Sequence, residues 1–363
     1  NYIKSLMNEK PIYVTQPSLC PSQEYFDILE GVWERGILTH NGPLVQKLEK
    51  KICRTLNLEN FLLVSSGTIA IQVAIKALNL KGEIIIPAFT WIATISAIKW
   101  EGCKPVFCDI NDKTLNIDVE KIEDLISEKT VAIMPVHVFG NPCDVFGIQK
   151  LAEKYNLKVI YDAAHAIGST INGKSILEFG DISATSLHAT KLLNTAEGGG
   201  CISSNNNLMK KMSRIRFFGH SDDKSDILED GFNGKMTEVH AALGLANIKY
   251  YNQVLDDRKS KHTYYLKFLK RNDNLFFQET QIGEPNCSYF PIIFKNEKQL
   301  LKTQDQLIKE NIFPRRYFYP SANKFSNIVK YTKIHTSESI SKRILCLPHY
   351  YNLSFFEIDK IIN

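Results

Sequence analysis

Short apolar runs alternate with longer segments of helical periodicity through the first half of the chain. Phe61-Leu62-Leu63-Val64 reads as a strand, Ser65-Ser66-Gly67-Thr68 breaks it, and a helix rich in alanine and isoleucine follows through Leu78. The same order then recurs: strand 83–86, helix 92–100, strand 105–109, helix 119–126, strand 131–136, helix 145–155 and strand 158–161. Strands this uniformly apolar are buried on both faces, and intervening helices return the chain so that successive strands run parallel. The pattern predicts an α/β fold whose mainly parallel sheet is covered on both sides.

The flanking regions read differently. Residues 25–33 have helical spacing, Thr39-His40-Asn41-Gly42-Pro43 is turn-like, and 45–56 is an amphipathic helix with Val45, Leu48, Ile52 and Leu56 on one side. Beyond Lys191 come a charged helix at 207–217, a polar loop at 221–230 and a longer helix at 236–254. From about Lys259 the chain shifts to Tyr- and Phe-rich strands such as 288–294 and amphipathic helices such as 300–310. We expect a large domain over 1–250 and a smaller α+β domain over 251–363, with 1–43 packing near the small domain or a dimer interface.

Composition narrows the class. With 363 residues, 44% of them hydrophobic, the chain has enough apolar material for a large core. Its net charge of +5 is dispersed, and basic patches are interleaved with acids, as in Lys295-Asn296-Glu297-Lys298, so no nucleic-acid footprint stands out. Eight cysteines without a Cys-x-x-Cys pair suit reduced thiols packed as small hydrophobes, hence a reducing cytoplasm. Neither a signal peptide nor a membrane span is evident, so export and membrane association are not expected.

Candidate chemistry falls at the predicted strand ends. The run 183–191 ends in hydroxyls and Lys191, and Gly198-Gly199-Gly200 follows. Ligands bind at the carboxyl ends of strands in open α/β sheets, so Lys191 is either a Schiff-base lysine or a solvated surface charge. Ser65-Ser66-Gly67-Thr68 is a phosphate turn at a helix N-terminus or an ordinary cap. Trp91 stacks on a flat ring or belongs to the core. Asp162, ending another strand, pairs with a protonated pyridine nitrogen or caps a helix, and His165 contacts a ligand or is a satisfied buried histidine. No second His or carboxylate at ligand spacing supports a metal. Taken together and in order, these residues match the parts of a pyridoxal-phosphate site.

At this point the sequence resembles the DegT/StrS-type sugar aminotransferases, a branch of the fold-type I pyridoxal-phosphate enzymes. The matches run from about Val14 onward and include Ser66-Gly67-Thr68, 87–94, Pro135-Val136-His137, Asp162-Ala163-Ala164-His165, 186–191, Glu197-Gly198-Gly199 and 232–245. The resemblance implies a large domain with a mainly parallel, seven-stranded sheet and a smaller C-terminal domain. It implies that Lys191 is the catalytic, cofactor-bearing lysine, that Asp162 pairs with the pyridine nitrogen and that Trp91 stacks on the ring. Gly67, Thr68 and Ser186 would hold the phosphate, and His165 would contact the ring face or its phenolic oxygen. Asn233 would reach the phosphate of a neighbouring subunit, which requires a homodimer with active sites at its interface.

Gly234-Lys235 departs from the commoner aromatic-arginine pair, so recognition there is expected to differ. A lysine rather than a histidine at 191 favours transamination over dehydration. The family implies a nucleotide-linked keto-sugar acceptor and L-glutamate as donor, with pyridoxamine phosphate as the half-reaction form. The stretch 186–199 and Val14-Thr15-Gln16-Pro17-Ser18-Leu19 look most like enzymes that aminate dTDP-4-keto-6-deoxyglucose at C4 for surface polysaccharide such as O-antigen. Amination at C3, or a UDP- or GDP-linked sugar, is the alternative. The segments 220–230 and 315–320 are expected to shape the acceptor site, with Arg315 or Arg316 either meeting a diphosphate or standing as solvated charges. A non-catalytic cofactor- or sugar-binding regulator is the reading from another class, and the intact Lys191 and Asp162 argue against it. A desulfurase or lyase lacks a cysteine in an evident catalytic loop.

Overall fold

The computed structural model describes residues 10–363. A seven-stranded sheet forms its centre, built from β1 (Leu62–Val64), β2 (Glu83–Pro87), β3 (Lys104–Cys108), β4 (Thr130–Ile133), β5 (Lys158–Asp162), β6 (Ile182–Ser186) and β7 (Gly199–Ile202). The spatial order is β1-β7-β6-β5-β4-β2-β3. Every neighbouring pair from β6 to β3 is parallel, while β7 runs antiparallel to both β1 and β6.

Burial on both faces explains the unbroken apolar runs. On β2, Ile85 enters one core with Leu48, Ile133 and Ile148, whereas Ile84 and Ile86 enter the opposite core with Ile71, Ile98 and Ile160. Each such side chain contributes about 1.5–3 kcal/mol by leaving water. The covering helices include α1 (Ser22–Arg35), α2 (Pro43–Leu56), α3 (Gly67–Ala77), α4 (Ile92–Trp100) and α5 (Val145–Tyr155). The α2 stripe buries Val45, Leu48 and Ile52, and the Glu238 carboxylate accepts from the Leu44 and Val45 amides at 3.0 and 2.9 Å. Two donors left over at the helix start are thereby satisfied.

Two expected helices take another form. Residues 119–126 make two short 3-10 turns, Val119–Lys121 and Glu123–Leu125, closed by i to i+3 bonds such as Leu125 N–H to the Ile122 carbonyl. Ile122 is the one buried side chain of the segment, so little packed apolar face is present to hold a regular α-helix. The expected helix at 236–254 is divided into α7 (Glu238–Asn247) and the start of α8 (Tyr251–Leu269) by a 3-10 turn at Ile248–Tyr250; α6 (Asn206–Ile215) precedes both. At this junction the Asn247 side chain is committed to the Asn194 carbonyl and the Cys20 amide, at 3.0 and 2.9 Å.

Past α8 the chain builds a second, antiparallel sheet from β8 (Leu275–Phe277), β9 (Phe290–Phe294) and β10 (Ile344–Leu347), with β9 central. It packs with α9 (Glu297–Lys309) and α11 (Phe355–Ile362) around an apolar cluster including Tyr265, Phe290, Leu300 and Ile358, while Ile340 of α10 (His335–Arg343) joins a separate cluster with Phe89 and Phe318. Ile12–Tyr13 pairs in parallel with Ile312–Phe313; the remainder of the expectation for 1–43 includes residues 1–9, outside those described. A further cluster joins Phe89, Val136 and Phe139, beyond the carboxyl ends of β2 and β4, to Tyr289, Ile293 and Phe318. The C-terminal part is thus seated over the strand ends where the candidate residues lie. All eight cysteines are free thiols, and no helix among the described residues is long and apolar enough to cross a membrane.

Candidate active site

Lys191 follows β6 in a turn held by backbone bonds. Leu187 N–H donates to the Gly198 carbonyl at 2.8 Å, Ala189 N–H to Ala196 at 2.7 Å and Lys191 N–H to His188 at 2.8 Å. The returning strand passes close to the start of α3: a Cβ on Gly199 would stand 2.4 Å from the Ser66 carbonyl carbon. Only glycine permits this approach, which accounts for part of the glycine run. The Lys191 Nζ donates to the Tyr289 hydroxyl at 3.2 Å. Burial lowers the Lys191 amine to about 8, against the Asp162 charge, which raises it; the Arg258 charge lowers it further.

Asp162 closes β5 and is 6% exposed. Its Oδ2 accepts from Thr94 Oγ1 at 2.7 Å, Thr94 in turn shares a 2.9 Å bond with Thr90, and Oδ1 accepts from the Ala164 amide at 3.2 Å. Burial pushes this carboxyl up, and the Thr94 and Ala164 bonds and the Lys191 charge oppose the rise without cancelling it. Among the described residues no cation lies within 4.0 Å of it. A buried carboxylate held by neutral donors is a site for a cationic N–H.

These groups face one cavity of about 370 Å³. At one end stand Gly67, Thr68 and Ser186; Ser66 caps α3 by accepting from the Ile69 amide at 3.2 Å, and the first-turn amides of Gly67 and Thr68 have no intrahelical partner. Trp91, 48% exposed, stands on the open side. His165 lines the interior beside the Tyr289 ring, with centroids 4.7 Å apart, and its Nδ1 accepts from the Phe139 amide at 3.2 Å. Burial, with the Lys191 charge, holds this imidazole well below its usual range, so it is neutral with its proton on Nε2. By contrast His137 is fully buried, stacked on Tyr161 at 4.6 Å, and serves the fold.

Residues 20–363 match the DegT/DnrJ/EryC1/StrS aminotransferase family. The chain belongs to it. A dTDP-4-amino-4,6-dideoxy-D-glucose transaminase of Shigella dysenteriae is 41% identical over 362 residues, covering 98% of each chain. A GDP-perosamine synthase of Escherichia coli O157:H7 is 32% identical over 355 residues, 95% of each. In three dimensions the chain is similar to a crystal structure of DesI in the presence of its TDP-sugar product, with a TM-score of 0.92, 26% identity and coverage of 98% of this chain and 92% of that one.

In this aminotransferase Lys191, Asp162, Gly67, Thr68, Trp91, His165 and Ser186 converge on the cavity. Asn233 does not: it is exposed, pairs with Phe217 in an isolated bridge and accepts from Lys235 Nζ. The 220–230 segment is likewise absent from the cavity lining of its own chain. Arg315 lines the cavity, but Arg316 turns away to Glu297. Tyr317 and Phe318, from the segment expected to shape the acceptor site, line the cavity, as does Thr15; Thr94 and Tyr289 line it too, without an individual role assigned from the sequence. Thr94 lies within the family-like stretch 87–94, and its i, i+4 spacing from Thr90 was the available signal. Tyr289 had none beyond its aromatic strand.

Proposed function

We propose that this chain is a pyridoxal-phosphate-dependent aminotransferase that moves an amino group from L-glutamate to a nucleotide-linked keto-sugar. The acceptor is dTDP-4-keto-6-deoxy-D-glucose, and the product, dTDP-4-amino-4,6-dideoxy-D-glucose, serves surface polysaccharide synthesis. What carries the reading is the convergence of Lys191, Asp162 and the α3 N-terminus on one cavity, in a chain 41% identical to a transaminase of that name.

The residues present fit the cofactor on which the family's aminotransferases depend. Among the described residues no cation lies within 4.0 Å of Asp162, and its surroundings suit accepting from a protonated ring nitrogen. The free amides of Gly67 and Thr68, the helix dipole and the Ser186 hydroxyl suit a phosphate. A Cβ on Gly67 would meet Ser186 Cβ at 3.0 Å, so the glycine keeps this cradle open. Trp91 offers a ring face on the open side. When bound, pyridoxal phosphate supplies an electron sink for the pair left when a proton departs from the amino-bearing carbon.

The protein's own part is to hold and move protons. Asp162 keeps the proton on the ring nitrogen. Lys191, with its amine free, would take the proton from the amino-bearing carbon of the donor on its Nζ and deliver it to the carbon that takes over the amino group; with the acceptor it would move the proton the opposite way. An amine lowered to about 8 has a substantial neutral fraction near neutral pH. Tyr289 holds that amine at the cavity wall, and the neutral His165 adds a hydrogen-bond donor without adding charge.

Asn233 outside its own cavity supports a homodimer in which each subunit completes the other's site. Incubating dTDP-, UDP- and GDP-linked keto-sugars with L-glutamate and identifying products by NMR tests the substrate. A C3-aminated product, or preference for a GDP-sugar as the perosamine synthase likeness would favour, would replace the acceptor and leave the reaction class standing.

A further inference from the structure

Two adjacent arginines between β9 and β10 have opposite surroundings. Arg316 is occupied: its Nη2 donates to Glu297 Oε1 at 2.7 Å and to the Lys342 carbonyl at 3.0 Å, and its guanidinium lies 3.5 Å from the Tyr319 ring centre. Arg315 lines the open side of the cavity, 4.8 Å from the Tyr317 ring centre and 5.9 Å from that of Trp91. Among the described residues no carboxylate stands within 4.0 Å of it. Its backbone is fixed, since Arg315 N–H donates to the Cys346 carbonyl at 3.1 Å and Cys346 N–H returns at 2.8 Å. The guanidinium also donates towards the Tyr317 hydroxyl, and with five N–H donors in a planar fork it has others to offer phosphate oxygens bidentately.

We infer that Arg315 is the residue that binds the diphosphate of the acceptor, presented from a rigid backbone and braced by Tyr317 and Trp91. The inference rests on the nucleotide-linked acceptor proposed above. In a sugar aminated at C4, the carbon carrying the diphosphate is across the ring, so the phosphates face away from Lys191. Two rings connect Lys191 to Arg315 along the cavity wall: the Lys191 amine touches Tyr289, the Tyr289 and Tyr317 rings are 5.9 Å apart, and the Arg315 guanidinium is 4.8 Å from the Tyr317 ring centre. A donor carboxylate also offers anionic oxygens. The α-carboxylate, one bond from the carbon whose proton Lys191 moves, is therefore the competing occupant, and titration separates the two.

Calorimetric titration of the holoenzyme with dTDP, UDP and GDP, with thymidine as the phosphate-free control, reads this subsite apart from turnover. Arg315→Gln should weaken all three diphosphates at least about tenfold. Arg315→Lys should weaken them less, because it keeps the charge and loses the fork. The change in cofactor absorbance on adding L-glutamate should keep its wild-type concentration dependence in both variants. Unchanged diphosphate affinity in Arg315→Gln would overturn the assignment while leaving the proposed function intact. A loss of glutamate affinity alone would overturn it too and give Arg315 to the donor carboxylate. If the wild-type protein bound none of the three diphosphates, the nucleotide-linked acceptor would fall together with the subsite.

Discussion

The two walls of the cavity are built on different physics. On the sheet wall, Asp162, Ser186 and Lys191 sit at or just beyond strand ends and are aimed by directional bonds: Thr94 to Asp162 at 2.7 Å, Asp162 N–H to the Pro135 carbonyl at 2.9 Å, Lys191 N–H to His188 at 2.8 Å. The facing wall, from the C-terminal part, is a set of rings. Tyr289 and Tyr317 meet edge to face at 5.9 Å, and Phe318 lies nearly parallel to Phe139 at 5.8 Å. Hydrogen bonds at strand ends fix single atoms, whereas packed rings fix a shape. Under the proposed function, the first wall would carry the proton chemistry and the second the choice of acceptor.

The division is broken most directly at Lys191. Lys191→Ala should lower kcat roughly a thousandfold or more, because the group that moves the proton is gone. Cofactor should still be retained, read by absorbance after gel filtration, since Asp162 and the α3 turn are untouched. Transamination surviving in that variant would move the chemistry off the sheet wall. Asp162→Asn keeps a side chain that can still meet Thr94 and removes the charge. A charge-assisted bond of about 1.5–3 kcal/mol is lost, so turnover should fall about tenfold to a hundredfold and the cofactor spectrum should change. An unaltered spectrum would show that the carboxylate does not face the ring nitrogen.

How far each wall was legible in the sequence follows from the same contrast. Gly67, Thr68 and Trp91 follow, and Asp162 ends, strands announced by apolar runs, Ser186 and Lys191 close the strand-like run 183–191, and a parallel sheet brings such ends to one edge. Local pattern therefore contained their convergence. Tyr289 belongs to a strand whose aromatic content reads equally well as core, whereas 315–320 was expected at the acceptor site; both Tyr289 and Tyr317 reach the cavity because Phe89, Val136 and Phe139 seat the C-terminal part there. That docking is a long-range packing event with no periodic signature. The two arginines could not be told apart for the same reason, since Glu297, which occupies Arg316, is 19 residues away. The 119–126 segment had the right apolar spacing but buries only Ile122.

The smallest expected effect lies where the walls touch, at the bond from Lys191 to Tyr289. Lys191 acts as a base only when neutral, and its amine is lowered to about 8. The rate of the half-reaction limited by proton removal should therefore rise with pH through about 8 and fall off on the acid side, where the amine is charged. The Tyr289 hydroxyl accepts from Nζ at 3.2 Å and burial keeps that phenol protonated, so the bond favours the ammonium form. Tyr289→Phe removes the acceptor and retains the ring. The amine should then ionise at lower pH, the acid limb should move down with it, and kcat should fall about threefold to tenfold through lost orientation. Titrating the reactivity of Lys191 towards an amine-specific reagent in cofactor-free protein measures the same shift without turnover. A limb that moved up instead would mean that the hydroxyl donates to the neutral amine, making the C-terminal wall a participant in setting the base and not only the frame around it.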